Sequence, residues 1–330
     1  MEWIVGIAIF AAVNAALWAI SSRIDRYIEA KVPPEGRFIE VGGERIHYQD
    51  EGSGPALVMI HGLTGCGRNL TYALSPCLRE QFRVITLDRP GSGYSSRSPG
   101  ARVDIPAQAG LIAEFIRTLD LDRPLVLGHS LGGALALSLA LDHPQLVCGL
   151  VLVAPLTHPQ RVLPLMFLSL WVRPAWLRGW LARTLSVPLG MLGRKGLIKA
   201  VFAPEPPPED FAERGGGLLG LRSNNFYCAS SEVATMNNDL PEMVRRYPQL
   251  TLPVGLIYGS GDRVLSYRKH GESMLGKLPG LRLEIIEGAG HMLPVTAAEP
   301  VADLVRDIAR QAKPRHHLAF APATAVLGPS

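Results

Sequence analysis

The sequence predicts an α/β fold, a mostly parallel twisted sheet with helices on both faces. Short, nearly continuous apolar runs recur at 56–60, 83–87, 125–127, 148–153, 254–258 and 283–286. Segments with helical spacing, such as 106–119 and 301–312, lie between or after them. Strands that read apolar throughout are buried on both faces, the condition of a parallel sheet covered by crossover helices. Polar, glycine-bearing turns follow several of these runs, and ligands of such sheets bind beyond the carboxyl ends of the strands.

The amino terminus is of a different kind. Trp3 to Ile20 is apolar apart from Asn14, with Trp3 and Trp18 near its ends. Its length is at the lower limit for a bilayer-spanning helix, and aromatic residues near both ends suit the interfaces. A secretory signal needs a basic residue before the run and a small-residue cleavage site, and neither is present. Residues 1–22 are therefore predicted to be a single-pass membrane anchor, followed by a tether at 23–36 that ends in Pro33-Pro34. Arg23, Arg26, Lys31 and Arg37 all follow the run, which predicts that the rest of the chain lies on the cytoplasmic side.

The body begins with a hairpin. Arg37 to Val41 and Arg45 to Gln49 flank Gly42-Gly43. The alternating pattern assigns 37–154 and 249–312 to the sheet core. Residues 155–248 break the alternation and hold Trp171, Trp176 and Trp180, three of the five tryptophans. They predict an inserted helical cap, read as an α-helical part of the core, as an apolar roof over a pocket that can also touch the bilayer surface, or as both. Residues 313–330 show little periodicity and are predicted to be a flexible tail.

Composition narrows the function. Apolar residues make up 47% and charged residues 19%, as in a globular chain. The net charge of +4 comes from 33 basic and 29 acidic residues, scattered without a basic run, which argues against nucleic acid. Cys66, Cys77, Cys148 and Cys228 form no C-x-x-C pair or Cys/His cluster, so no metal is predicted. Cys148, within an apolar run, reads as a reduced core thiol. No repeat is evident, and oligomeric state is not readable.

The motif with the clearest chemistry is Gly128-His129-Ser130-Leu131-Gly132. A strand precedes it and a helix, 133–141, follows. A strand that turns sharply into a helix at a serine lifts the hydroxyl above the sheet edge, and the glycines let strand and helix approach. Serine needs a base, and that base needs an orienting carboxylate. Asp262, after Gly259-Ser260-Gly261, and His291, after Gly288-Ala289-Gly290, each lie just past a strand. Glu287 is a distant second for the acid. The oxyanion donors are predicted to be the backbone amides of Leu131 and Leu63, with Thr64 as runner-up. His61, Gly62, Thr64 and His129 are expected to border substrate. His61 and His129 also read as packing or loop-fixing residues, and His270 falls in a predicted helix.

Together with His61-Gly62-Leu63 and Asp88-Arg89-Pro90-Gly91-Ser92-Gly93-Tyr94-Ser95, these motifs resemble the α/β-hydrolase fold family over residues 37–312. Ser130 at the nucleophile position disfavours the family's aspartate-nucleophile members. The Gly-His-Ser-Leu-Gly-Gly form resembles esterases and lipases, and the anchored layout is similar to membrane-anchored monoacylglycerol lipases. The resemblance implies a serine hydrolase of lipid-like or aromatic esters that needs no cofactor, with a small-molecule ester and the membrane as partners. A carbon–carbon bond hydrolase, a cofactor-free haloperoxidase, a non-catalytic receptor and a membrane scaffold are the alternatives.

Overall fold

The computed structural model describes residues 1–160 and 162–312. Eight strands form one sheet: β1 (Arg37–Val41), β2 (Glu44–Glu51), β3 (Ala56–Ile60), β4 (Arg83–Leu87), β5 (Leu125–His129), β6 (Gly149–Val153), β7 (Val254–Gly259) and β8 (Arg282–Ile286). Their order is β1-β2-β4-β3-β5-β6-β7-β8. β2 is antiparallel to β1 and β4, and the other pairings are parallel. The β1–β2 hairpin turns through Gly42 and Gly43 at φ +59° and +79°, angles that glycine adopts without Cβ strain.

Side chains alternate across the sheet. Val58, Ile60, Val126, Leu150 and Leu152 pack with the helices Ile105–Thr118 and Leu131–Asp142 on one face. Leu57, Met59, Leu127, Val151 and Val153 pack with Leu70, Leu74 and the helix Ala298–Gln311 on the other. The apolar runs of β3 to β7 are thus buried on both sides, as a covered parallel sheet requires, whereas β8 at the sheet edge is only partly covered and leaves Ile285 exposed. The chain passes from β4 back across β3 to β5, so the crevice beyond β3 and β5 is a topological switch point.

The insertion between β6 and β7 carries the helices Ala175–Arg183, Ser186–Phe202 and Ser223–Arg246. The last belongs partly to the core: Met236, Leu240 and Met243 pack into the sheet's main cluster. Cys148 lies just before β6 and is only half-buried, because the strand begins at Gly149. The expected tail lies outside the described residues.

The amino-terminal helix differs from expectation. It is continuous from Glu2 to Lys31, 30 residues, so most of the segment expected to be a tether is helical. Ile24 and Ile28, one turn apart, explain why. Ile28 is fully buried with Val32 against Cys66, Leu218 and Leu219, and no helix-breaking residue occurs until Pro33. Ser223 donates to Asp25, and Arg222 pairs with Glu29 at 2.8 Å.

Candidate active site

Ser130 follows directly on β5 with φ +56° and ψ −120°, a left-handed conformation that costs a non-glycine residue about 1–3 kcal/mol. The surroundings over-determine it. Its amide donates to the Val153 carbonyl at 3.0 Å, and its carbonyl accepts from Gly133 and Leu156 at 2.9 Å each. A Cβ at Gly132 would collide with the Ile60 carbonyl oxygen, and one at Gly128 with the Gly132 oxygen. The strain is thus held by backbone packing on both sides of the serine.

The loops after β7 and β8 interlock. Ser260 N–H donates to the Ile286 carbonyl, Gly261 N–H to the Ala289 carbonyl, and Gly288 N–H to Ser260 Oγ. This stitching brings together two side chains 29 residues apart: His291 Nδ1 donates to Asp262 Oδ2 at 2.7 Å. Asp262 Oδ1 accepts from the amides of Val264 at 2.7 Å and Leu265 at 3.0 Å. Burial opposes ionisation of Asp262, but His291 and the two amides outweigh it and hold the carboxyl below its usual range. Glu287 is exposed, and the imidazole faces Asp262 instead.

His129 joins the two halves. Its Nε2 donates to the His291 carbonyl at 3.0 Å, and the two rings lie 4.9 Å apart. A carbonyl can only accept, which assigns the proton to Nε2. Burial, with His291 adding to it, lowers the His129 pKa to about 3, so the ring stays neutral. Among the described residues, the Ser130 hydroxyl and His291 Nε2 hydrogen-bond to no other group. Catalytic contacts of this kind commonly tighten only around substrate.

The turn after β3 brings Gly62 against the serine. A Cβ at Gly62 would stand 2.9 Å from Ser130 Cβ and 3.3 Å from Oγ. Three donors hold the Gly62 carbonyl: His61 Nδ1 at 2.9 Å, Arg89 Nη2 at 3.0 Å and Gly65 N at 3.3 Å. In a planar trans peptide the carbonyl and the next N–H point opposite ways, so this clamp also fixes the direction of the Leu63 amide. Leu131 opens its helix, where the first four amides have no intrahelical acceptor. Leu63 and Leu131 both border the pocket beside Ser130.

That pocket is an open cleft with about 380 Å³ of empty space, counting the solvent at its mouth. Leu156, Leu163, Phe167, Met236 and Leu265 make most of its wall. None of the four residues expected to border substrate lines it. His61 is fully buried: its Nδ1 donates to the Gly62 carbonyl and its Nε2 accepts from Arg89 N at 3.0 Å. Burial, then the neighbouring Arg89 charge, lowers its pKa to about 3. Gly62 and Thr64 shape the turn, Thr64 at φ +56°, and His129 ties loops together.

Two features of the site were not assigned from sequence. Arg89, with no exposed surface, donates to the carbonyls of His61 and Gly62 and to Gln108, and pairs through both terminal nitrogens with the buried Glu232 at 2.5 and 3.1 Å. Gln160, a polar residue in the pocket wall, accepts from His270 Nε2 at 3.1 Å and Lys269 Nζ at 3.2 Å. His270 Nδ1 in turn accepts from the amides of Thr157 and His158, which keeps that ring neutral. Among the described residues no three His, Cys, Asp or Glu side chains form a metal-binding group.

Comparison with known proteins agrees with the geometry. An uncharacterised protein of Mycobacterium tuberculosis is 30% identical over 284 residues, 81% of this chain and 78% of its own. An esterase from Thermogutta terrifontis shares the fold with a TM-score of 0.69 at 20% identity, covering 84% of this chain and 99% of that one. A membrane phospholipase A, described as a bacterial virulence factor, has a TM-score of 0.63 at 23% identity over 93% of this chain and 99% of its own. The family model for the alpha/beta hydrolase fold matches residues 55–298, and with that fold and that site geometry in place, the chain belongs to the α/β-hydrolase family.

Proposed function

We propose that the protein is a serine hydrolase that cleaves carboxylic esters through an acyl-enzyme. The observation that carries the reading is the Asp262–His291 hydrogen bond, together with a strained serine that lines an apolar pocket. Ser130 Oγ attacks the ester carbonyl carbon as its proton passes to His291 Nε2. The carbonyl electrons move onto oxygen, where the Leu63 and Leu131 amides receive the charge. The intermediate collapses and expels the alcohol, which takes the proton from His291. Water then attacks the acyl-enzyme, giving its proton to His291. A second collapse releases the acid and returns the proton to Ser130. Asp262 keeps the imidazole oriented and offsets its positive charge throughout.

The pocket's aliphatic and aromatic wall suits an acyl chain or an aromatic ester. The amino-terminal helix, almost wholly exposed along its apolar run, is read as a single-pass membrane span. The basic residues after it support a body on the cytoplasmic side, and on that reading a cysteine introduced near Glu299 should react with a membrane-impermeant maleimide only in opened cells. Labelling in intact cells would reverse the orientation.

A fluorophosphonate probe tests the chemistry. It should label the wild-type chain and fail to label Ser130→Ala, whose ester hydrolysis should fall at least about 1,000-fold. Labelling that persists in Ser130→Ala would place the nucleophile elsewhere. Efficiency on a vinylogous diketone exceeding that on any ester would assign carbon–carbon hydrolysis to the same residues.

A further inference from the structure

The cap and the amino-terminal helix are fastened at a level that has a consequence for both. Trp180 Nε1 donates to Asn14 Oδ1 at 2.6 Å, and Ser21 Oγ donates to the Thr184 carbonyl at 2.8 Å. Asn14 lies six residues inside the end of the apolar run at Ile20. At 1.5 Å per residue, that is about 9 Å below the run's end. A helix tilt of about 40° would still leave about 7 Å. A span that puts Trp3 to Ile20 in hydrocarbon therefore draws Trp180 below the lipid boundary with it.

The surface around Trp180 fits that position. Trp176 is 75% exposed and Leu192 83% exposed, and Trp171 and Leu189 are exposed beside them. Six basic residues are interspersed, Arg173, Arg183, Lys195 and Lys199 exposed and Arg178 and Arg194 half-buried with donors on the cap's own carbonyls, and from Trp171 to Pro204 the sequence has no acidic residue. Among the described residues none of the six forms an ion pair. Indole rings with a wet edge and long basic side chains that reach outward are the groups suited to a lipid boundary, and unopposed positive charge suits anionic head groups.

We propose that the outer face of the cap, from Trp171 to Lys199, is seated in the head-group and upper acyl region of an anionic bilayer, alongside the amino-terminal helix. The proposal rests on the reading of that helix as a membrane span. It does not depend on the hydrolase chemistry.

All five tryptophans lie in these two elements, at positions 3, 18, 171, 176 and 180, which permits a direct test in the full chain. A cap reporter carries Trp3→Phe and Trp18→Phe. An anchor reporter carries Trp171→Phe, Trp176→Phe and Trp180→Phe. Both are placed in nanodiscs of phosphatidylcholine and phosphatidylglycerol, with lipids brominated high on the acyl chains. The cap reporter should lose at least about half its fluorescence to the brominated lipid and be shielded from aqueous iodide. Quenching of the anchor reporter alone, with the cap reporter open to iodide, would overturn the seating of the cap and leave the span intact. Failure of both to respond to brominated lipid would overturn the span and the proposal together.

Discussion

Arg89 joins two parts of the molecule that the chain brings from far apart. Its guanidinium holds the His61 and Gly62 carbonyls on one side and Glu232 of the cap helix, 143 residues away, on the other. A cation on the Gly62 carbonyl polarises the peptide whose N–H belongs to Leu63, so the proposed oxyanion donor is aimed and strengthened at once. Removing one member of a buried pair leaves the other charged and unmatched, at a cost of about 3–5 kcal/mol. Arg89→Met should lower thermal stability by that order and reduce kcat. Arg89→Met combined with Glu232→Met should recover much of the stability while kcat stays at least about tenfold down, because the Gly62 clamp is still missing. A double variant with wild-type kcat would show that the pair only holds the cap. Ser130, Asp262 and His291 could be singled out in sequence as candidates because each sits in a local, glycine-flanked signature at a strand end, and the structure joins Asp262 to His291. Glu232 was not, because a lone glutamate on a helix reads as a surface residue and only tertiary packing buries it. His61 and His129 were visible but not their orientation, since a ring that satisfies a backbone carbonyl looks no different in sequence from one that faces a ligand.

Among the elements, the sheet was the easiest to anticipate, because runs buried on both faces leave little doubt about period or burial. The amino-terminal helix was read too short. The apolar signal stops at Ile20, but helix-forming residues continue and Ile24 and Ile28 repeat at one turn, a weaker amphipathic cue hidden behind a strong hydrophobic one. Ile28→Ala should cost about 2–4 kcal/mol, seen as a lowered unfolding midpoint, because it opens a cavity against Cys66, Leu218 and Leu219. Ile7→Ala, on an exposed turn of the same helix, should leave that midpoint unchanged. Equal effects from the two would mean that the lower half of the helix is not packed as described. The cap was anticipated as part of the core, as a roof, or as both, and part of it lines the pocket. Its long helix also closes the core, a dual role that composition alone cannot divide.

Taken as a whole, the molecule buries neutral imidazoles around the site. His61, His129 and His270 are each lowered to about 3, first by burial and then by neighbouring positive charge. An unfolded histidine titrates near about 6.5, so below that pH the unfolded chain takes up protons that the folded chain refuses. Stability should therefore be full above about pH 7 and fall steadily as pH drops toward about 4. The depressed carboxyl of Asp262 adds a further loss below its unfolded value of about 3.9. Denaturant midpoints between pH 7.5 and pH 5 test this, and His270→Gln should flatten the slope. A midpoint that rises on acidification would contradict the burial of these rings as neutral groups.

With the proposed membrane span and activity, the unbroken helix from Glu2 to Lys31 also decides how far the body can range. A catalytic body hung on a flexible strand of 14 residues would roam about 20 Å from its mooring. Mounted on a stiff post and bolted to it at Asn14 and Ser21, it keeps one height and one attitude. Such a hydrolase would graze only its own leaflet, and its yield would follow how fast prey diffuses sideways to it.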